Sequence, residues 1–454
     1  MTATSTRTAS PPVPSAADLD HFRADPLRAL PRLFERYGDP FCVPSQAGPM
    51  VLTADPATCE QIMKRHLDRG PLHRRTEPAQ GPGITIQSGE EWRRTRAMIS
   101  PLFTHRHLKA LSDLVADGAR RGLGQLSAYA GSGETVDLMA FMPSVTMGVL
   151  MHAMFSDSLR PGEMEAMIAD YAHISRWKGG LIRTAFEAPG TPVPGESEGI
   201  AARDRIDEVI YRVIAERRRE GVARHDLLQL LVDARYEEDG SELSDEDVRN
   251  NTTTLFIAGF DTTSFGLCWT LAAAMTSGRG LAPLVECAEQ LGGRLPGVDD
   301  IPQLAYLKAA FDEGLRLQGH PFIPRQLETD ETIGGYRLPA GTMVTMSTWV
   351  LHRNPALWER PHDFVPERYL GEEGAGRSRW QSLPFGGGPR VCIGINFAYM
   401  EATYVLALLL GRYRLELAPG WELRPAYVFN VILDGGLPVT VTEASSGSTV
   451  NSAG

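Results

Sequence analysis

Cys392 stands in the stretch "LPFGGGPRVCIGINFAYMEA", behind three consecutive glycines and at the head of a segment with helical spacing. A sulfur at a helix start meets unpaired backbone N–H groups and the positive end of the helix dipole, and both favour thiolate over thiol. Arg390, two residues earlier, acts in the same direction. The glycines allow the backbone to bend tightly and to approach a flat partner at close range. A thiolate presented in this way is a nucleophile or a metal ligand. A nucleophile needs a general base, and none of the eleven histidines stands in a recognisable thiol-enzyme context, although the base can be distant in sequence. Zinc would need a cluster of Cys/His ligands, and a phosphate loop would need Gly-Lys-Ser/Thr where Pro-Arg-Val follows here. One thiolate suffices where a porphyrin supplies the other ligands. The plain alternative is a buried structural cysteine.

Other chemistry-bearing residues lie far from this loop. "AGFDTT", Ala258 to Thr263, puts a carboxylate and two hydroxyls beside two residues with almost no side chain. Asp261 and Thr262 suit general-acid work, whereas a kinked helix with Thr262 and Thr263 bonded to their own carbonyls is the competing reading. "EGLRL" sets Glu313 and Arg316 on one helix face, and "FVPERYL" offers Arg368. "EEWRRTR" contains Trp92 and Arg96, and "HPFIPRQ" contains Arg325.

Helices must position most of these groups. "DPATCEQIMKRHL" opens on Asp55 as N-cap with Pro56 at the first helical position. Amphipathic runs span Glu90 to Met98, Leu108 to Tyr129, Asp137 to Phe155, Pro161 to Phe186 and Ile200 to Arg219. The segment from Ser244 is apolar almost all round for about thirty residues, far beyond a mean helix of ~11–12, and should cross the core. Asp261 and the threonines at its centre argue against a membrane span. Three hairpins are expected, in "PFCVPSQAGPMVLTA", in "ETIGGYRLPAGTMVTMS" with its turn at Gly334-Gly335, and in "NVILDGGLPVTVTEA".

At 454 residues and 43% hydrophobic the chain can bury a large core, and no internal linker divides it. Residues 1–17 and 445–454 read as disordered tails around one domain over residues 18–444. The net charge of -11 argues against nucleic acid as a partner. The five scattered cysteines point to a reducing compartment, and no anchor is evident, so a soluble, cytoplasmic, monomeric protein is expected.

"FGGGPRVCIG" resembles the haem-binding signature of the cytochrome P-450 family, F-x-x-G-x-R-x-C-x-G, through Phe385, Gly388, Arg390, Cys392 and Gly394. The E-x-x-R pair Glu313 and Arg316, the P-E-R segment with Arg368, the "AGFDTT" motif and the W-x-x-x-R pair Trp92 and Arg96 follow the same family in order. The likeness covers about Leu30 to Glu443. Many soluble bacterial members carry His where Arg390 stands here; the signature is similar to the branch common in anchored eukaryotic members and in some bacterial ones, and the chain resembles a soluble bacterial member of that branch.

The resemblance implies a mainly α fold with a small β portion and a single haem domain. Haem b would be ligated by Cys392 and its propionates bound by Trp92, Arg96, Arg325 and Arg390. Ala258 and Gly259 would lie against the cofactor, Thr262 and Asp261 would deliver protons, and Glu313, Arg316 and Arg368 would brace the fold. The implied reaction inserts one atom of O2 into a lipophilic small molecule, such as a terpenoid, fatty acyl chain or polyketide, by hydroxylation or epoxidation. No dinucleotide motif is present, so electrons would come from a ferredoxin or flavodoxin with its reductase. Arg94, His105, Arg106, His107, Lys109, Arg377, Arg379 and Arg390 are expected to form its docking patch. The alternatives are a haem-free enzyme with Cys392 as covalent nucleophile, or the same fold acting as peroxygenase, coupling enzyme or non-catalytic binder.

Overall fold

The computed structural model describes residues 10–45, 48–184, 190–221, 224–236, 239–428 and 430–444. Helices dominate, and the strands among these residues form four small sheets. The mainly α expectation holds. Local signals place the helices: the Asp55 side chain accepts from Thr58 N at 2.7 Å ahead of Pro56–Arg65, and the Ser244 hydroxyl accepts from Asp247 N at 3.0 Å. The amphipathic runs appear as Gly89–Ile99, His105–Gly124, Leu138–Phe155, Glu163–Arg183 and Glu196–Glu220. The expected end at Phe186 lies outside the described residues.

Leu138–Phe155 runs through the core, against His105–Gly124 on one side and the central helix on another. A Cβ at Gly118 would stand 2.9 Å from the Val149 backbone, so a missing side chain lets two helices touch main chain to main chain.

The central helix runs from Asp245 to Thr276 but breaks at Phe260, giving Asp245–Gly259 and Asp261–Thr276. The Phe260 carbonyl accepts from Ser264 N at 2.9 Å and from the Thr146 hydroxyl of the neighbouring helix at 3.2 Å. Leu138–Phe155 and Asp245–Thr276 are long and apolar enough to cross a membrane, yet 67% and 72% of their apolar windows are buried inside the protein, which makes them core helices.

Phe41–Ser45 and Gly48–Thr53 pair as expected, and Gly48–Thr53 then runs parallel to Met343–Met346, which pairs antiparallel with Ile323–Gln326. Glu331–Ile333 and Tyr336–Leu338 form the second hairpin around Gly334-Gly335. The third hairpin does not form. Val431–Leu433 pairs with Pro425–Tyr427, while Pro438–Glu443 pairs with Tyr413–Leu417 and Thr135–Asp137. Asp137 decides this: its carboxylate accepts from Leu437 N at 2.6 Å and faces Gly436, so the chain leaves the turn toward a different sheet. The boundary expected at residue 17 also moves. Pro11 and Pro14 are buried, Pro12 accepts from Cys42 N at 2.8 Å, and a helix begins at Ala16, so residues 11–17 belong to the folded body. The rest of the N-terminal tail, residues 1–9, and the whole C-terminal tail, residues 445–454, lie outside the described residues.

Candidate functional site

The cysteine loop is closed by a hydrogen bond from Cys392 N to the Phe385 carbonyl at 3.0 Å, and helix Ile395–Arg412 starts immediately after Gly394. Two of the three glycines answer to packing against the protein itself, while Gly386, with open space beside it, answers to its backbone angle of φ +69°. Gly388 has φ +67°, and a Cβ there would meet the Met63 carbonyl at 2.3 Å; at Gly387 it would meet the Trp380 ring at 2.5 Å. Close approach to a flat partner is therefore not what requires them. The Phe385 ring stands edge-on to Tyr399 at 5.1 Å.

Cys392 is accessible, yet burial by surrounding protein is the largest influence on its thiol and pushes its pKa up. Gly394 N–H, Arg96 and Arg69 pull it down, in that order. The helix start acts in the expected direction but does not win, and Arg390 is not among the groups that act. A thiolate here needs a bound metal, which deprotonates a coordinating thiol outright.

Ala258 and Thr262 are exposed although most of the central helix is buried, so one turn of this helix presents an open stripe. Thr262 Oγ1 donates to the Ala258 carbonyl at 3.1 Å and Thr263 Oγ1 to Gly259 at 3.3 Å, which is the kinked geometry weighed above. Gly259 faces elsewhere, since a Cβ there would stand 2.9 Å from Leu150. Only Ala258 fits the role given to both. Asp261 is half-buried and accepts a hydrogen bond from Tyr171 at 2.7 Å; desolvation raises its pKa, against Tyr171 and Lys178, which lower it.

Four arginines converge. Arg390 stacks over the Trp92 ring at 4.4 Å and donates to the Gln87 carbonyl at 2.6 Å. Burial first, then Arg69, push Arg390 down to about 9. Arg325 also falls to about 9, through burial, Arg69 and Arg390. Arg69 and Arg96 are lowered by burial and partly restored by Cys392. Among the described residues none of the four forms an ion pair, and the Nε atoms of Arg69, Arg325 and Arg390 lack any partner. Buried cations in this state are costly.

The ion network is present and dry. Arg316 grips Glu313 through Nε at 2.6 Å and Nη2 at 2.8 Å, and Arg368 reaches the same carboxylate at 3.2 Å. Glu313 and Arg316 are fully buried, and carbonyls of His352, Pro361 and Asp363 satisfy the remaining donors of Arg316.

The profile described as Cytochrome P450 matches residues 10–436. The chain belongs to the cytochrome P450 family. It is 31% identical to cyclooctatin synthase from Streptomyces melanosporofaciens over 83% of each chain. It is also 31% identical to cyclooctat-9-en-7-ol 5-monooxygenase from the same organism, over 82% of this chain and 81% of that one. The crystal structure of the cytochrome P450DA haem domain superposes with a TM-score of 0.84 at 25% identity, covering 96% of this chain and 97% of that chain. As a P450, the protein is an oxidoreductase of the monooxygenase type.

Family membership implies haem with cysteine thiolate ligation, and the residues fit it. The cysteine is accessible, Ala258 and Thr262 form an open stripe on the central helix, and four arginines without ion pairs among the described residues suit anions such as two propionates. Arg69 was not legible in "HLDRGPLHRR", where it is one of five arginines and histidines with no motif around it.

The expected docking patch is dismantled in part. Arg390 is buried, Lys109 pairs with Asp299 at 3.2 Å, and Arg377 pairs with Glu373 at 2.8 Å. Arg379 and Lys64 instead flank Trp380, whose ring touches Gly387 of the cysteine loop.

Proposed function

We propose that this P450 would hold haem b through the Cys392 thiolate and hydroxylates or epoxidises a lipophilic, terpenoid-class substrate. The carrying observation is the accessible Cys392 acted on by Arg69 and Arg96, two of a cluster of four arginines without ion pairs among the described residues. The names of the Streptomyces relatives support the substrate class. Bound there, the porphyrin iron supplies activation of O2, one atom entering the substrate and the other leaving as water.

The chain's own residues do the rest. Arg69, Arg96, Arg325 and Arg390 hold the propionates, with Trp92 backing Arg390, and the anions relieve the mutual repulsion of these cations. Glu313, Arg316 and Arg368 lock the irregular segment between His352 and Arg368 onto helix Ala305–Gln318. Ala258 keeps the distal face clear. Thr262 Oγ1 passes a proton to that face and takes one from Asp261, which is general-acid work in a largely dry site.

Electrons reach the protein from a ferredoxin or flavodoxin with its reductase, docked near Arg379, which lies over the Trp380 ring beside the cysteine loop. The protein is monomeric and cytoplasmic; all five cysteines are free thiols, which suits a reducing compartment.

Thr262→Ala tests the proton role. It should keep a normal reduced carbonyl spectrum and substrate-induced spectral shift, while product formed per electron falls several-fold and peroxide rises. Unchanged product per electron would remove Thr262 from the reaction.

A further inference from the structure

The Tyr171 hydroxyl lies 2.7 Å from Asp261 Oδ2 and 3.5 Å from the Ile257 carbonyl. It comes from helix Glu163–Arg183, which is separate from the central helix that carries Asp261. Its ring is held edge-on to Phe260 at 4.3 Å and to Phe256 at 5.8 Å, against the residue where the central helix breaks. A buried phenol fixed on two sides has little freedom to point elsewhere. Lys178, seven residues on and so on the same helix face, is half-buried and acts on the same carboxylate.

We propose that Tyr171 is a positioning residue for proton delivery: its hydroxyl holds the Asp261 carboxylate at the break in the central helix, engaging Oδ2 and leaving Oδ1 to handle the proton. The inference rests on the reading of Asp261 as proton donor. The groups that titrate and face Asp261 are Tyr171 and Lys178, both from helix Glu163–Arg183; helix Leu138–Phe155 brings Thr146, which does not titrate. Desolvation raises the Asp261 pKa, and the Tyr171 hydrogen bond is the largest influence lowering it. Removing that bond must therefore move its titration to higher pH. Lys178 falls to about 8, mostly by burial, with Asp261 pulling it upward. Tyr171 holds its own proton firmly, since burial and then Asp261 push its pKa well up; it acts as a hydrogen-bond donor and does not relay.

The test uses the haem-loaded enzyme with a surrogate redox system, together with infrared titration of the Asp261 carboxyl, assigned by its loss in Asp261→Asn. Tyr171→Phe should retain the thiolate carbonyl spectrum and bind substrate within about twofold of the parent. Its carboxyl titration and the alkaline limb of its pH–rate profile should both move up by about half to one pH unit, the worth of one hydrogen bond. Product per electron should fall several-fold, and Tyr171→Phe should add nothing further in an Asp261→Asn background. Trifluorotyrosine at position 171, a stronger donor, should move both titrations down; this arm decides the matter should Tyr171→Phe accumulate poorly. An unmoved carboxyl titration, or effects that add in the double variant, overturns the inference. So does an Asp261→Asn variant that uncouples turnover beside a silent Tyr171→Phe, and in that case the proton-donor reading survives. A silent Asp261→Asn overturns both.

Discussion

Arg390 lies with its guanidinium 4.4 Å from the centre of the Trp92 ring, and its Nε has no hydrogen-bond partner. The stack fixes the direction of a cation that forms no ion pair among the described residues, in company with Arg69, Arg96 and Arg325. Such a cluster destabilises the empty protein and prepares it for a dianion.

The cluster makes a two-sided prediction. Arg325→Met should raise the stability of the haem-free protein by about 1 kcal/mol, because it removes an uncompensated buried charge. The same change should speed haem loss to an acceptor globin about tenfold or more. Urea unfolding of apoprotein and a haem-transfer assay measure the two effects.

Glu313 behaves in the opposite sense. Glu313→Gln leaves Arg316 and Arg368 buried without a counter-charge, at a cost of about 3–5 kcal/mol. The expected outcome is loss of soluble, folded protein at growth temperature, and a lowered thermal midpoint in whatever is recovered.

The loop glycines separate into strict and tolerant positions. Gly388→Ala forces a side chain to φ +67° and into the Met63 carbonyl, so it should cost more than about 2 kcal/mol. Gly394 has φ -88° and open space where a Cβ would go, so Gly394→Ala should fold within about 0.5 kcal/mol of the parent. Chemical unfolding of both variants checks the contrast.

Glu401 gives a pH prediction. It is fully buried on helix Ile395–Arg412, both its carboxyl oxygens lack a partner, and burial pushes its pKa well above the ordinary 4.5. The folded state then keeps a proton that the unfolded state releases. Its contribution is present below 4.5 and is lost as pH rises from there toward the folded-state value, by at most about 1.4 kcal/mol per pH unit. Glu401→Gln should flatten that decline. Urea midpoints at pH 5 and pH 8 should fall for the parent and fall less for the variant.

Much of the site was written in short motifs, because Cys392, Glu313, Arg316 and the Asp261–Thr262 pair each depend on neighbours a few residues away. Local caps such as Asp55 and Ser244 were legible for the same reason. What escaped was fixed by distant contacts. Arg69 and Tyr171 matter only because the fold brings them to Arg390 and Asp261, and neither stands in a pattern of its own. The loop glycines were legible as glycines, but the reason for Gly388 was not: Met63, more than three hundred residues away in the chain, crowds it. The third hairpin failed similarly, since Asp137 captures Leu437 from three hundred residues away.

The reduced, carbon monoxide-treated protein tests Cys392 ligation most directly. The wild type should show the long-wavelength Soret band of a thiolate-ligated iron, and Cys392→Ser should lose it while the fold persists. A wild-type band characteristic of histidine ligation, or a thiolate band that survives Cys392→Ala, would contradict the assignment.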